Sequence, residues 1–237
     1  MPTTGPEDLG SILGVWAHPD DEAYLSGGLM AAAAQAGRPA AMVTATLGEA
    51  GTPDPAAWPP WRLRRVRHWE LRASMAVLGV EDHRLLGYAD GTLADVESSE
   101  GAARVAEVIE DVSPDTILTF GPEGMTGHSD HKAVSTWSTR GWEEAGRPGR
   151  LLYATQPVGY AERMKDLDER FSIFFAGRPP ETPVEEMAVR FELPPELVDR
   201  KVVALRAQAS QTAPIIQDLG VEAFGMWVST EHFVEAE

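Results

Sequence analysis

Short apolar runs alternate with longer amphipathic stretches through the first two thirds of the chain. Residues 12–17 and 40–47 are mainly apolar, which is typical of strands buried on both faces of a parallel sheet. The same pattern predicts further strands at 84–86, 116–120 and 151–154, and helices at 22–36, 61–78, 102–112 and 130–144. Strands that alternate with helices form right-handed βαβ units. We therefore predict an α/β fold with a Rossmann-like, doubly wound and mostly parallel sheet.

The connectivity of such a sheet brings two separated segments of the chain together. In the strand order 3-2-1-4-5, the first and fourth strands are neighbours at the topological switch point, and the loops at their carboxyl ends form one crevice. The segment 17–22 follows the first predicted strand, and the segment 127–131 follows the fourth. The sequence therefore predicts that these two segments meet in the crevice.

The pattern becomes less regular in the last third of the chain, where proline pairs interrupt it. An alternating stretch at 187–193 predicts a strand, and 196–211 predicts a helix. A length of 237 residues fits one domain spanning residues 1–237. We predict an α/β core over 1–156 and a small C-terminal layer over 157–237, which caps the crevice or forms a contact in a homo-oligomer.

Composition narrows the classes of partner. The formal net charge is −17, so nucleic acids and anionic membranes are not expected partners, because both require a basic surface. No cysteine is present, so a metal ion would have to be held by His, Asp or Glu side chains. Residues 1–10 lack the basic region of a signal peptide, and no apolar stretch is long enough to span a bilayer. We therefore expect a cytoplasmic protein that does not contact a membrane.

The two facing segments are rich in side chains of the types that bind metals. His18, Asp21 and His131 provide two imidazoles and one carboxylate, a set of the kind that holds a catalytic zinc ion. Asp20 is then free to act as a general base, and His128 could stabilise an oxyanion and later protonate an amine. Each segment alone also fits an ordinary polar helix start. Their pairing at neighbouring strand ends instead predicts metal-assisted hydrolysis of an amide.

Two runs carry a resemblance to a known family: Ala-His-Pro-Asp-Asp-Glu at 17–22 and Thr-Gly-His-Ser-Asp-His at 126–131. With these runs the chain resembles the LmbE-type, PIG-L-like family of zinc-dependent de-N-acetylases. Shorter similarities extend the resemblance over most of the chain, at 47–51, 66–80, 90–91, 201–211 and 231–233. The resemblance implies a Zn2+ cofactor, although Fe2+ and Mn2+ remain open in a mixed nitrogen and oxygen site. It also implies a small-molecule substrate, an N-acetylated amino sugar or its conjugate.

The resemblance implies a role for each matching residue. By this resemblance the metal ligands are His18, Asp21 and His131. Asp20 is the base, and His128 is the charge-stabilising group. The sugar contacts are Glu49, Arg67 and Asp90. Carboxylates and guanidinium groups suit the last of these roles, because they form directional hydrogen bonds with sugar hydroxyls.

Some positions depart from the family pattern and leave alternatives open. Thr126 stands where some members have a tyrosine, Gln208 where a histidine is common, and Ser129 where a proline is usual. These departures spare the metal set but leave the sugar and its aglycone undefined. The alternatives are a catalytically inactive sugar-binding module, a hydrolase of a non-sugar N-acyl amide, and a methyltransferase with a nucleoside near residues 48–51. The loop 50–60 is rich in proline and carries tryptophan, which could stack on a sugar or cover the site.

Overall fold

Five apolar segments form the parallel strands that the sequence predicts. The computed structural model describes residues 6–175 and 179–236 of the protein. The five strands are β1 (Ile12–Trp16), β2 (Ala40–Thr44), β3 (Asp82–Leu85), β4 (Thr116–Phe120) and β5 (Arg150–Ala154). They pair in the order β3-β2-β1-β4-β5, which confirms the predicted order. The carboxyl ends of the neighbouring strands β1 and β4 therefore lie at the same edge of the sheet.

Four helices connect these strands, and their bounds are α1 (Asp21–Gln35), α2 (Pro60–Leu78), α3 (Ser98–Val112) and α4 (Ser129–Glu144). Helix α1 packs against α2, and α3 packs against α4, while both α1 and α4 contact β1. Right-handed crossovers place these two pairs on opposite faces of the sheet. Among the helices of residues 6–175 and 179–236, none is both long and apolar enough to cross a membrane.

Most observed bounds lie within a few residues of the predicted ones. The second strand ends at Thr44 instead of residue 47. Beyond this point the N–H groups of residues 45 and 46 bond to the carbonyls of Trp16 and Ala17. The chain therefore stays beside the end of β1 without continuing the regular ladder.

The C-terminal part of the chain adds two strands to the sheet and a helical layer beside it. Its strands are β6 (Gln156–Pro157) and β7 (Glu181–Thr182), which pair with each other, and β8 (Val189–Glu192) and β9 (Thr230–Glu235). Its helices are α5 (Tyr160–Arg163), α6 (Lys165–Phe171), α7 (Pro195–Ala207), α8 (Ala209–Leu219) and α9 (Val221–Trp227). Strand β9 lies antiparallel between β5 and β8, which gives the order β3-β2-β1-β4-β5-β9-β8.

The short elements α5, α6, α9, β6 and β7 of this part were not predicted, and two further features differ from the sequence prediction. Strand β9 was not predicted, because buried Glu231 and His232 interrupt its apolar pattern. The helix predicted at 196–211 is in fact two helices, because the backbone leaves helical geometry at Gln208, where φ is −94° and ψ is 43°. The boundary at residue 156 between the α/β core and the C-terminal layer of a single domain stays a prediction.

A buried ion pair joins α7 to β9, and its carboxylate also bonds to α1. Lys201 Nζ donates to Glu231 Oε1 at 2.6 Å, and both side chains are fully buried. The Glu231 carboxylate also accepts the backbone N–H groups of Gly28, at 2.6 Å, and of Leu29, at 2.8 Å. A side chain at Gly28 would overlap that of Leu193, so glycine permits the close approach of the C-terminal segment. Gly28 of α1 thus forms part of the surface on which the C-terminal segment packs.

Candidate active site

His18, Asp21 and His131 converge at the carboxyl ends of β1 and β4. His18 follows β1, Asp21 is the first residue of α1, and His131 lies in the first turn of α4. His18 Nδ1 and His131 Nε2 are 3.1 Å apart. The carboxylate oxygens of Asp21 lie 3.5 Å from His18 Nδ1 and 3.4 Å from His131 Nε2. The structure therefore brings the predicted ligand set together.

These separations fit a single metal ion. Ligand atoms bonded to zinc at about 2.0–2.1 Å in a tetrahedral arrangement lie about 3.4 Å from one another. Two further donor sets are centred on His18, since its ligand atoms and those of His128 and His131 lie within 4.8 Å of one another, as do those of His18, Asp90 and Asp130. The chemistry and spacing of the donors thus suit a divalent cation, and three donor sets share one imidazole.

The backbone of the first motif adopts an uncommon conformation. Asp20 has a φ of 99°, in the region that favours glycine. Its N–H donates to Glu22 Oε2 at 3.0 Å, and the N–H of His18 donates to Asp21 Oδ2 at 2.8 Å. Pro19 disfavours helical geometry at the residue before it, and α1 begins only at residue 21. Strained residues of this kind persist where several contacts hold them, often at functional sites.

We call the ligand atoms of His18, Asp21 and His131 the donor set. Two aspartates orient the ring of His18 from the side opposite this set. His18 Nε2 lies 3.0 Å from Asp90 Oδ1 and 3.3 Å from Asp130 Oδ2. Asp130 also accepts the N–H groups of residues 91 and 93, and Asp90 accepts that of Ala50 at 2.7 Å. A histidine that donates one ring N–H to a carboxylate presents its other nitrogen as a ligand. These contacts engage Asp90 with the protein, and its predicted contact with a sugar stays a prediction.

Arg67 is buried beneath the first motif, and its guanidinium contacts the protein backbone. It donates to the carbonyls of Pro19 and Gly48, the latter at 2.8 Å, and lies 3.4 Å from Asp20 Oδ2. Gly48 has a φ of 64°, and a side chain there would overlap the guanidinium. Arg67 therefore holds the loops on both sides of Asp20, while its predicted contact with a sugar stays a prediction.

Glu49 carries an unpaired oxygen at the crevice. Its Oε1 accepts from Arg64 at 3.1 Å, whereas its Oε2 is buried and has no hydrogen-bond partner among the described residues. A buried acceptor without a partner is costly, so it would gain from a donor supplied by a ligand. The tryptophans of the following loop do not line the cavity beside Asp20, Asp21 and His131. Trp61 is 70% exposed in the first turn of α2, and Trp58 stacks against Arg62.

His128 caps α4 with its side chain. Its Nδ1 accepts the N–H of Asp130 at 3.1 Å, which requires that this nitrogen carries no proton. Burial lowers the pKa of His128, and the nearby His18 lowers it further, in agreement with a neutral ring. In that tautomer Nε2 carries the hydrogen. The ring centre lies 4.8 Å from that of His18 and 5.0 Å from that of Phe175. His128 is thus placed beside the donor set as a neutral hydrogen-bond donor.

The ionisable groups of the site have pKa values that are shifted in different directions. Burial raises the pKa of Asp20 to about 7, although the Arg67 guanidinium opposes this shift. Burial alone would also raise the pKa of Asp21, but the facing imidazoles of His131 and His18 lower it to about 2. Burial lowers the pKa of His131 to about 4. Carboxylates gathered around two imidazoles create a negative potential, which favours a cation.

Three residues complete the site without having been predicted. Asp130, which orients His18, directly precedes His131 in the second motif, and its position in that motif was the available signal. Glu22 accepts from Gln208 Nε2 at 2.5 Å, and burial raises its pKa to about 8. Gln208 was noted only as a departure from the family pattern. Its contact joins residues 186 positions apart, for which no local pattern gives a signal.

Thr126 contacts the imidazole ring of His131. Its hydroxyl lies 3.3 Å from His131 Nδ1, and the same nitrogen lies 2.9 Å from the carbonyl of Gly124. Because a carbonyl can only accept, His131 Nδ1 carries the hydrogen and Nε2 is left free to bind a ligand. The departure at Thr126 therefore leaves the tautomer needed for metal binding intact.

The fold and this site define an α/β protein with a candidate metal centre at its topological switch point. The profile of the PIG-L family, described as GlcNAc-PI de-N-acetylase, matches residues 13–140. A 1D-myo-inositol 2-acetamido-2-deoxy-alpha-D-glucopyranoside deacetylase from Acidothermus cellulolyticus is 33% identical, over 91% of this chain and 86% of that protein. The chain belongs to the PIG-L family of de-N-acetylases, as its resemblance implied.

Other relatives cover the chain less completely or are more distant. A deacetylase of the same name from Kineococcus radiotolerans is 38% identical, over 54% of this chain and 44% of that protein. The chain thus spans about half the length of some curated relatives that it matches. The N,N'-diacetylchitobiose deacetylase from Pyrococcus horikoshii has a TM-score of 0.66 and 19% identity, over 97% of this chain and 85% of that one. At this identity the similarity establishes the fold alone.

Proposed function

We propose that the protein is a metal-dependent N-deacetylase that hydrolyses the acetamido group of an amino sugar or its conjugate. The observation that carries this proposal is the convergence of His18 Nδ1, His131 Nε2 and the Asp21 carboxylate at separations of 3.1–3.5 Å. The names of its relatives, which describe deacetylation of an acetamido sugar, support the same reaction.

The donor set would hold the cation through two imidazoles and one carboxylate. Zinc is our expectation, and iron(II) or manganese(II) would fit the same mixture of nitrogen and oxygen ligands. When bound, such a cation polarises an amide carbonyl and increases the acidity of water. Asp90 and Asp130 fix the ring and tautomer of His18, so that Nδ1 faces the donor set.

Asp20 is the proposed general base. Its carboxylate lines the cavity beside Asp21 and His131, where it can take a proton from the attacking water and deliver it to the departing amine. Arg67 positions this carboxylate through its contacts with the surrounding loops. His128 offers its Nε2–H to the oxygen that becomes negative as the carbonyl is attacked.

The sugar is proposed to bind on the side of the β2 and β3 loops. Glu49 Oε2 would accept a hydroxyl of the sugar, which would satisfy its buried and unpaired oxygen. Arg67 and Asp90 lie beside it as the other expected contacts. The cytoplasmic location, the absence of nucleic-acid and membrane partners, and the oligomeric state stay predictions.

Elemental analysis of the purified protein, combined with acetate release from a panel of N-acetylglucosamine conjugates, tests this proposal. We expect about one equivalent of metal and metal-dependent release of acetate. Asp20→Asn should keep the metal and lose about 10²–10⁴-fold in kcat/KM, the usual range for a general base. Asp199→Asn, at an exposed position on α7, is the matched control and should retain activity.

Two results would contradict the proposed reaction, and a third would change its substrate class. Full activity of Asp20→Asn would remove the proposed mechanism. A metal-loaded protein that binds the sugars but releases no acetate from any of them would identify an inactive sugar-binding module instead. Release of acyl groups only from non-sugar amides would keep the chemistry and replace the substrate class.

A further inference from the structure

A largely apolar cavity adjoins the donor set. Its volume is about 310 Å³, and Asp20, Asp21 and His131 form part of its wall. Most of the remaining wall is contributed by apolar side chains from α1, β4 and the C-terminal part of the chain, among them Leu25, Phe120, Ile173, Phe174, Ile215 and Trp227. The cavity therefore joins the reactive groups to a surface that suits a hydrocarbon.

The three expected sugar contacts lie outside the cavity wall. Glu49, Arg67 and Asp90 are not among the residues that line the cavity. His18 lies between Asp90 and the donor set, because its Nδ1 faces Asp21 and its Nε2 faces Asp90. Arg67 contacts Asp20, a residue of the cavity wall, at 3.4 Å. A substrate amide at the donor set thus has the apolar cavity beside it, whereas Glu49, Arg67 and Asp90 offer polar contacts outside the cavity wall.

We propose that this cavity receives the acyl group of the substrate, and that acyl groups longer than acetyl are preferred. The inference rests on the proposed function and names its substrate class as amino sugars that carry an N-linked hydrocarbon acyl chain. A cavity of about 150 Å³ already accommodates a benzene ring, so 310 Å³ far exceeds the space that an acetyl methyl group requires. Sugar hydroxyls placed against Phe174 and Ile215 would lose hydrogen bonds to water with little replacement.

The reaction is the same hydrolysis with a longer acyl group. The water oxygen forms a bond to the carbonyl carbon, and the carbon–nitrogen bond breaks. Asp20 transfers the proton from water to the amine nitrogen. The products are a carboxylic acid and a free amino sugar, and water is the sole co-reactant.

A series of methyl glycosides of glucosamine that differ solely in the N-acyl group tests the proposal. We would measure amine release from the N-acetyl, N-butanoyl, N-hexanoyl and N-octanoyl compounds by the metal-loaded protein. Each methylene buried in the cavity should raise kcat/KM by up to about fourfold, until the cavity is filled. Equal or lower values for the longer chains would overturn the inference and leave the deacetylase proposal intact. No amine release from any compound would instead contradict the proposed function.

A second series distinguishes the acyl group from an apolar aglycone. It consists of N-acetylglucosamine with methyl, hexyl and octyl aglycones. We expect little dependence of kcat/KM on the length of the aglycone. A rise with the aglycone and not with the acyl chain would overturn the proposal, because the cavity would then receive the opposite end of the substrate.

A cavity-filling variant locates the effect. Ile173→Trp should reduce the ratio of N-hexanoyl to N-acetyl kcat/KM at least about tenfold. Val203→Trp introduces the same side chain on the exposed face of α7 and should leave the ratio unchanged. An unchanged ratio in both variants would overturn the proposal.

Binding of the acid products to the metal-loaded protein gives a readout that does not depend on turnover. In titration calorimetry, hexanoate should bind more tightly than acetate, with a more negative heat-capacity change, because it buries more apolar surface. Equal affinity of the two acids would contradict an acyl site in the cavity.

Discussion

Helix α1 contacts two buried charged clusters that differ in their balance of charge. The first, which we call the balanced cluster, lies at the middle of α1 and pairs Lys201 with Glu231. Two backbone N–H groups also bond to its carboxylate. The second, which we call the reactive cluster, lies at the start of α1 and gathers carboxylates around histidines and a single arginine. Its members are Asp20, Asp21, Glu22, Asp90 and Asp130 with His18, His131 and Arg67.

This difference separates a structural role from a chemical one. A buried pair of opposite charges, whose carboxylate also accepts backbone N–H groups, joins elements and leaves no net charge for a ligand. A buried cluster with excess carboxylate has strongly shifted pKa values and a field that attracts cations, which are features of functional sites. The same helix thus carries a fixed joint and a reactive centre about two turns apart.

The largest expected effect concerns the reactive cluster. Asp21→Ala removes one of three converging donors, so we expect loss of the metal and a decrease in kcat/KM on the order of 10³-fold or more. The free energy of unfolding of the metal-free protein should change little, so the loss of activity would reflect the loss of the metal and not unfolding. Elemental analysis, amine release and urea denaturation measure these effects.

The matched variant for this prediction is His128→Ala. It should keep the metal, because His128 lies outside the proposed donor set, although it belongs to one alternative set. If His128→Ala lost the metal while Asp21→Ala retained it, the cation would be held by the three histidines, and the assignment of Asp21 would be wrong.

The next effect concerns the balanced cluster. Lys201→Met leaves Glu231 charged, buried and without its cation, which typically destabilises a protein by about 3–5 kcal/mol. Urea denaturation of the metal-free protein measures the change. Lys165→Met, at an exposed position on α6, is the control and should have a negligible effect. A loss below about 1 kcal/mol for Lys201→Met would show that the pair does not hold β9 against α7.

A smaller effect tests the aspartates behind His18. Asp130→Asn keeps the shape of the side chain but weakens the acceptor for His18 Nε2–H. Removal of such a partner typically lowers metal affinity about 10–100-fold. A metal-competition titration measures the affinity, with Asp166→Asn on the surface of α6 as the control. Unchanged affinity would mean that Asp90 alone orients the ring.

The smallest effect is a pH dependence at the balanced cluster. Burial, together with the nearby Arg190 and Lys201, lowers the pKa of His232 to about 4. Below pH 6.5 the unfolded chain gains a proton at this residue while the folded chain does not, so stability is lost as the pH falls towards 4. We expect His232 to account for about 1 kcal/mol of this loss between pH 7 and 5.5, allowing for partial solvent screening.

The variant His232→Gln isolates this contribution. Its free energy of unfolding should decrease less than that of the unchanged protein over the same pH range. Identical pH slopes for the two proteins would show that His232 titrates alike in the folded and unfolded chains.

The sequence by itself determined the parallel part of the sheet and the meeting of the two motifs. Apolar periodicity is a local property, and residues 12–16 and 116–120 show it clearly enough to define two neighbouring strands. Once those strands are neighbours, connectivity alone brings His18 and His131 together. The family resemblance named the same residues.

Only the tertiary structure decided how the site is supported and what lies beside it. The contacts of Arg67 with backbone carbonyls, of Asp130 with His18 and of Gln208 with Glu22 join distant parts of the chain. The apolar cavity likewise depends on helices and loops that pack from the C-terminal part. Such contacts depend on how elements pack in three dimensions, and no periodic pattern within a single segment encodes them.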